Sequence, residues 1–311
     1  MSHQAVLLIA HGSPERAEDI PEFLRNISRG RLMSDTVVRE VQHRYSLIGS
    51  SPLTRITRAQ ADGVSRELGL PAYVGMRNWH PFIADTLREM TNDGVGQAVA
   101  ICLAPHNSRT SVGLYKQALF GASAPFAIDF VEEWHDHPLL IEAFADKLRS
   151  GWKSASAQHG SALPVIFTAH SVPLRTIEEG DPYQFQAMET AMHVASQVPE
   201  IGLWNFAFQS QGMSGGEWLG PTVEDTITRL RNAGHTGVFL QPIGFVCDHV
   251  EILFDVDILF RQFAEERGMK LYRAESLNDS ALFVHAVADL ARTRLGALNL
   301  RPSAGIERGK A

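Results

Sequence analysis

Short apolar runs alternate along this chain with segments of helical periodicity, and no other feature constrains the fold as much. Ala5–Ala10, Ala98–Leu103, Val165–Ala169 and Gly237–Leu240 are too short for helices and too uniformly apolar for strands with one wet face. They predict strands buried on both faces, as in parallel sheets. Pro71–Val74, Phe126–Val131, Leu203–Gln209 and Lys270–Tyr272 are further candidate strands. Helical patterns fall between them over Pro21–Ile27, Asp35–Tyr45, Leu53–Leu68, Pro81–Asn92, Pro138–Ser150, Pro182–Gln197, Thr222–Ala233, His249–Glu266 and Asp279–Leu298. This succession predicts a doubly wound α/β architecture.

A length of 311 residues allows two ordinary domains or one large one. Gly151–Leu163 is rich in Ser, Ala and Gly and is the expected linker, dividing a domain over 1–150 from one over 164–300, with 301–311 as a frayed tail. A short echo supports two similar halves. Ala10-His11-Gly12-Ser13-Pro14 follows the first strand, and Ala169-His170-Ser171-Val172-Pro173 follows the first strand after the linker. Each sets a histidine at a strand's carboxyl end, with a proline three residues on.

Composition removes several classes of function. Hydrophobic residues at 44% and charged residues at 20% give an ordinary globular profile, and a net charge of −7 argues against a nucleic-acid footprint. Cys102 and Cys247, both inside apolar runs, are too few for a disulfide framework, a four-cysteine zinc site or a cysteine-ligated iron–sulfur cluster. Nothing like a basic leader precedes the first strand, and no apolar run reaches the length of a bilayer span. The expectation is a cytoplasmic protein with reduced thiols. Glycine-rich phosphate loops and a nucleophile elbow are both missing.

Two stretches carry chemistry. In the first, the strand Val165–Ala169 ends at His170, and a polar loop runs on to Gly180-Asp181-Pro182-Tyr183. The carboxyl end of a buried strand is where open α/β sheets bind ligands, and a neutral imidazole there can ligate a metal or accept a proton. His11 and His106 follow predicted strands in the same way; His135 and His137 read as a solvated loop or a surface metal site. The second stretch runs from Gln241 to Ile258. Taken as an α-helix, it sets Asp248, Glu251 and Asp255 on one face, at i, i+3 and i+7, with Asp257 opposite. An acidic first turn with Asp248 as N-cap explains Asp248 but not Asp255; a shared cation or proton path explains all three. Arg29, Arg31, Arg44 and Tyr45 precede Ser51-Pro52-Leu53 and suit an acidic, planar, apolar ligand, or are ordinary surface arginines. Gln211–Pro221 is a glycine-rich loop carrying Trp218.

Together these residues resemble the ferrochelatases, which insert ferrous iron into a porphyrin. The resemblance runs from Leu7-Leu8-Ile9-Ala10-His11-Gly12-Ser13-Pro14 to Leu277–Phe283, through Ser51-Pro52-Leu53, Gly75–Pro81, Leu103–His106, Phe208–Ser210 and Trp218–Pro221. It is strongest around His170 and over Gly244–Glu251. It implies two similar Rossmann-like domains, each a four-stranded parallel sheet flanked by helices, with the active site in the cleft between them and room for the C-terminal helix to pack back on the first. His170 and Glu251 fall on the family's invariant histidine and glutamate, which implies catalytic and metal-contacting roles, with Asp248 and Asp255 extending an acidic track. The short N-terminal segment, the polar loop and the missing cluster cysteines resemble the soluble coproporphyrin III ferrochelatases. By that likeness Arg44, Tyr45, Ser51 and Tyr115 contact the porphyrin, and His11 faces it from the other side, where it is expected to ligate product iron; the cluster of Arg29, Arg31 and Arg44 is expected to hold the propionates.

The implied partners are coproporphyrin III and Fe²⁺, the latter as substrate, with transient contact to the downstream haem-pathway enzyme. The resemblance implies no organic cofactor and no nucleic acid; the expected state is a monomer. Three positions depart from the pattern: His11 where tyrosine is frequent, Ser28 where arginine is common, and a turn at Gly49-Ser50-Ser51-Pro52-Leu53 that is one residue short. Alternative readings are a protoporphyrin IX ferrochelatase, a cobalt or nickel chelatase of sirohydrochlorin type, and a non-catalytic haem or metal carrier.

Overall fold

Two four-stranded sheets, every pairing parallel, organise the chain. A computed structural model describes residues 3–211 and 216–299. The first sheet contains β1 (His3–Ala10), β2 (Ala72–Met76), β3 (Val95–Cys102) and β4 (Ala127–Val131), in the order β2-β1-β3-β4. The second contains β5 (Val165–His170), β6 (Trp204–Gln209), β7 (Gly237–Pro242) and β8 (Lys270–Arg273), in the order β6-β5-β7-β8. The two orders are the same, so β1 and β5 are topological equivalents and His11 and His170 leave equivalent strand ends. The four most uniformly apolar runs in the sequence are the central strands of the two sheets. The four weaker runs are the edges, where one flank meets a strand and the other does not.

The helices are α1 (Ile20–Ile27), α2 (Asp35–Ile48), α3 (Leu53–Leu68), α4 (Ile83–Asn92), α5 (Val112–Gly121), α6 (Pro138–His159), α7 (Leu174–Glu178), α8 (Tyr183–Gln197), α9 (Val223–Asn232), α10 (Arg261–Glu265) and α11 (Ala281–Asn299). A π-helix, Glu251–Phe260, precedes α10. One continuous apolar cluster runs from Leu8 and Ile101 of the first sheet, through Phe144 and Leu148 of α6 and Phe283 of α11, to Phe167 and Phe239 of the second. At about 1.5–3 kcal/mol for each large side chain buried, this shared cluster fixes how the sheets sit around the cleft. The C-terminal helix α11 packs against α3 and α6, and Arg294 holds Asp129 of β4 through two hydrogen bonds of 2.7 and 3.1 Å.

Three features differ from the sequence expectation. Most of the expected linker 151–163 is helical, because α6 continues to His159. Tertiary packing overrides the Ser/Ala/Gly composition there: Ala155 is buried, Trp152 Nε1 donates to Leu163 O at 2.8 Å, and Gly151 lets the helix lie where a Cβ would be 3.0 Å from the Phe239 ring. The polar loop after His170 contains the short helix α7, and α5 carries no strong periodic signal. The segment read as one α-helix over His249–Glu266 begins as the π-helix. The expected tail 301–311 lies outside the described residues. Among the described residues no helix is long and apolar enough to cross a membrane.

Candidate active site

Strand order reverses between β1 and β3 and again between β5 and β7, and each reversal opens a crevice outside the carboxyl ends of the strands. The two crevices meet. The connections leaving those four strands, at 10–13, 103–111, 170–173 and 244–251, line a single cavity of about 660 Å³. Phe23 and Leu24 of α1 and Val41 and Tyr45 of α2 form a further, largely apolar wall.

His170 and Glu251 stand together on this lining. His170 Nδ1 is hydrogen-bonded to Ser171 O, which as an acceptor requires Nδ1 to carry the proton. In the neutral ring Nε2 then holds the lone pair; it lies 3.6 Å from Glu251 Oε2, and both side chains are about one-third exposed, at 32%. That separation is too long for a good hydrogen bond. A proton on Nε2 would turn it into an ion pair, and a divalent cation bonded to both atoms at about 2.0–2.2 Å would bridge it. Gly244 makes the approach possible: a Cβ there would lie 2.8 Å from Ala169 Cα and 2.9 Å from its Cβ, so only glycine lets the loop after β7 fold against the end of β5. The Gly180–Tyr183 motif braces the same strand end. Tyr183 Oη donates to His170 O at 3.0 Å, and Asp181 caps Tyr183 N at 3.1 Å while accepting from Ser108 Oγ at 3.1 Å and Arg109 N at 2.8 Å, from the loop after β3.

The acidic track is shorter than the sequence suggested. Glu251 and Asp255 both line the cavity, but Asp248 does not. The π-helix starts after Asp248 and is wound on i→i+5 bonds, so α-helical spacing does not carry over. Asp248 turns away, accepting from Ser276 Oγ at 2.7 Å, Asn278 Nδ2 at 2.9 Å and Arg273 at 3.3 Å. Arg273 is shared with Asp257, which is likewise outside the cavity lining.

Burial pushes the Asp255 carboxyl up to about 6, against the pull of the hydrogen bond from Ser210 Oγ. Between about pH 4 and 6 the native chain therefore keeps a proton that the unfolded chain has lost, and stability falls as pH rises through that window. Asp255→Asn removes this penalty. Urea unfolding should find the variant more stable than the parent above pH 6, by on the order of 3 kcal/mol, and equal to it below about pH 4. A difference that does not vary with pH would contradict this.

The other sequence candidates divide. Tyr45 and Tyr115 are buried on the lining; Tyr45 Oη pairs with Ser13 Oγ at 2.7 Å, and burial pushes its phenol up to about 12 and Tyr115 higher still. Arg44 lines the cavity but is partly engaged, paired with Glu40 and stacked 5.2 Å over Phe254. Arg29 and Arg31 are exposed beyond the end of α1, outside the lining. Ser51 is buried outside the lining, and its hydroxyl has no partner among the described residues.

His11 is on the wall opposite His170, yet both its ring nitrogens are taken, Nδ1 by Gly12 O and Nε2 by the Asn78 side chain, each at 3.0 Å. Burial, with Arg77 nearby, lowers its pKa to about 4, so it stays neutral. The expected ligation of iron by His11 has no free nitrogen to work with in this arrangement. His106 is buried and donates to or accepts from Thr190 Oγ1 at 2.9 Å; burial lowers it to about 3. His135 pairs with Glu189 at 2.8 Å and His137 lies 3.5 Å from Asp289, rather than forming a surface metal site with each other. Among the described residues no group of three His, Cys, Asp or Glu is placed to hold a metal ion. Trp218 reaches the lining from the glycine-rich loop, of which residues 212–215 lie outside those described.

Sequence reasoning passed over Arg77 and His249. Arg77 projects into the cavity, stacks 5.1 Å from the Tyr115 ring centre and forms no ion pair among the described residues. The signal was present: Arg77 follows β2, another strand ending at the crevice. His249 lines the cavity beside Phe245, and burial lowers its pKa.

Fold and site together define a chelatase-type α/β protein. The sirohydrochlorin chelatase SirB from Bacillus subtilis subspecies spizizenii, solved in complex with cobalt, superposes with a TM-score of 0.54 at 8% identity, covering 93% of this chain and 94% of that one. The Ferrochelatase family model matches residues 3–295, and a protein named Ferrochelatase from Acidobacterium capsulatum is 53% identical over 309 residues, covering 94% of this chain and 95% of the relative. A protein named Coproporphyrin III ferrochelatase from Geobacillus kaustophilus is 34% identical over 301 residues, 93% of this chain and 95% of that one. The chain belongs to the ferrochelatase family.

Proposed function

We propose that this chain inserts Fe²⁺ into coproporphyrin III, with release of the two pyrrole N–H protons. The reading is carried by the pair of His170 Nε2 and Glu251 Oε2, 3.6 Å apart on the wall of a largely apolar cavity built from both halves. His170 accepts a pyrrole proton at Nε2, and the imidazolium that forms is held by the Glu251 carboxylate. Glu251 also draws the ferrous ion to the face of the macrocycle that His170 deprotonates. The apolar walls bury the macrocycle, and a rigid cleft can use that binding energy to hold it distorted toward the metal-accepting shape.

Coproporphyrin III is favoured over protoporphyrin IX because it carries more carboxylates, and the lining offers Arg44 and Arg77 together with the hydroxyl of Ser111. The likeness to relatives named coproporphyrin III ferrochelatases points the same way. Hydrogen bonds to charged groups are worth about 1.5–3 kcal/mol. Arg77→Met should therefore weaken coproporphyrin III binding by about 10- to 100-fold, read by quenching of porphyrin fluorescence. Unchanged affinity would remove Arg77 from carboxylate recognition.

Steady-state insertion assays with coproporphyrin III and protoporphyrin IX side by side test the substrate. A higher kcat/KM for coproporphyrin III is expected. A preference for protoporphyrin IX would overturn the substrate and leave the reaction in place.

A further inference from the structure

His11 and His170 are built alike. Each stands at the carboxyl end of the first strand of its sheet in chain order, β1 or β5, and each sets its Nδ1 against the carbonyl oxygen of the next residue, Gly12 O or Ser171 O. Both are on the cavity lining, on opposite walls. The topology that repeats the strand thus repeats the imidazole, and a planar macrocycle between the walls would meet a histidine on either face. What meets Nε2 differs. On His170 it is the Glu251 carboxylate, at 3.6 Å; on His11 it is the Asn78 amide, at 3.0 Å. An amide carries no charge, so it neither stabilises an imidazolium nor attracts a metal cation. Arg77, next to Asn78 in the chain, adds a positive charge near the same ring that helps keep it neutral. Both carboxylates of the described lining, Glu251 and Asp255, belong to the π-helix.

Asn78 is held firmly in that place. It is 5% exposed, its backbone N donates to His11 O at 2.9 Å, and its O accepts from Asn26 Nδ2 at 3.1 Å. Either setting of its amide engages the imidazole. In one, Nδ2 donates to the Nε2 lone pair; turned about, Oδ1 lies 3.0 Å from Nε2 and accepts from Arg77 Nε and Nη2 at 3.3 and 3.2 Å. In both, His11 must give up a buried hydrogen bond before Nε2 can bond iron, which disfavours ligation by about 10- to 100-fold. We infer that Asn78 is a positioning residue that caps His11 Nε2 and keeps this second imidazole off the iron, so that the iron porphyrin is held from the His170 face alone and can depart. This rests on the iron porphyrin product of the reaction proposed above.

The test uses the full-length protein and preformed iron(III) coproporphyrin III, and so does not depend on insertion. The parent and His11→Ala complexes should have superimposable absorption and resonance Raman spectra, because His11 is no ligand in the parent. Asn78→Leu keeps the branched shape of the side chain and removes its hydrogen-bonding groups. It should add an axial imidazole signal that a further His11→Ala substitution abolishes, and should slow dissociation of the iron porphyrin about tenfold or more. A parent spectrum that changes on His11→Ala overturns the inference and leaves the insertion reaction in place. An Asn78→Leu spectrum identical to that of the parent overturns it as well. Should Asn78→Leu fail to fold, the comparison of the parent with His11→Ala carries the test. A parent that binds neither free-base nor iron porphyrin overturns the proposed function and the role of Asn78 with it.

Discussion

Replacing His170 with alanine should lower kcat for iron insertion by about 10²- to 10⁴-fold while free-base porphyrin still binds. The size of the effect follows from how this imidazole is held. Ser171 O engages Nδ1, and Tyr183 Oη fixes the backbone at His170 O, so a single nitrogen, Nε2, is presented to the cavity. No other histidine on the lining can substitute. His11 has both nitrogens engaged, His106 is tied to Thr190, and burial keeps all three of His11, His106 and His249 away from the charged state. Because the His170 side chain is partly exposed, at 32%, its removal leaves no core cavity, and thermal unfolding should change little. Normal turnover in His170→Ala would remove it as the base.

Glu251→Gln should be nearly as damaging, through a different step. The substitution preserves shape and hydrogen-bonding reach but removes the charge that holds the His170 imidazolium and attracts Fe²⁺. Insertion should slow by about 10²-fold or more, and the Fe²⁺ concentration giving half-maximal rate should rise, while porphyrin affinity stays near that of the parent. Stopped-flow metalation over a range of Fe²⁺ concentrations separates the two effects. An unchanged rate at saturating Fe²⁺ would show that the carboxylate serves only to position the loop after β7.

What was legible in the sequence follows from local physics, and what was hidden depends on contacts between distant segments. The uniformly apolar runs marked the central strands, and the rule that ligands gather at strand carboxyl ends picked out His11, His106 and His170. Glu251 and Asp255 were found through an α-helical spacing that the chain does not adopt; they survived because residues four apart stay near one face in either winding, whereas Asp248 lies before the π-helix and turned away to Ser276, Asn278 and Arg273. The π-helix itself was invisible, since Ile252–Phe254 and Ile258–Phe260 make the segment apolar nearly all round and leave no clear period to read. Arg29 and Arg31 were chosen by residue type alone, without the fold that carries them out past α1. Arg77 gives a weak signal in the sequence because it follows an edge strand, whose run is less uniformly apolar. The Asp181 brace was unreadable in principle, as it joins loops 72 residues apart.

In the function proposed above, the His170–Glu251 pair metalates a porphyrin bound in the cleft. Anaerobic mixing of the protein with Fe²⁺ and free-base coproporphyrin III, followed by absorbance and by release of protons into a weakly buffered medium, tests it most directly. The expected result is catalytic loss of the free-base spectrum with two protons released per porphyrin consumed, both signals vanishing together in His170→Ala. A parent protein that binds the porphyrin yet leaves it metal-free, or an alanine variant that matches the parent in both signals, would contradict the account.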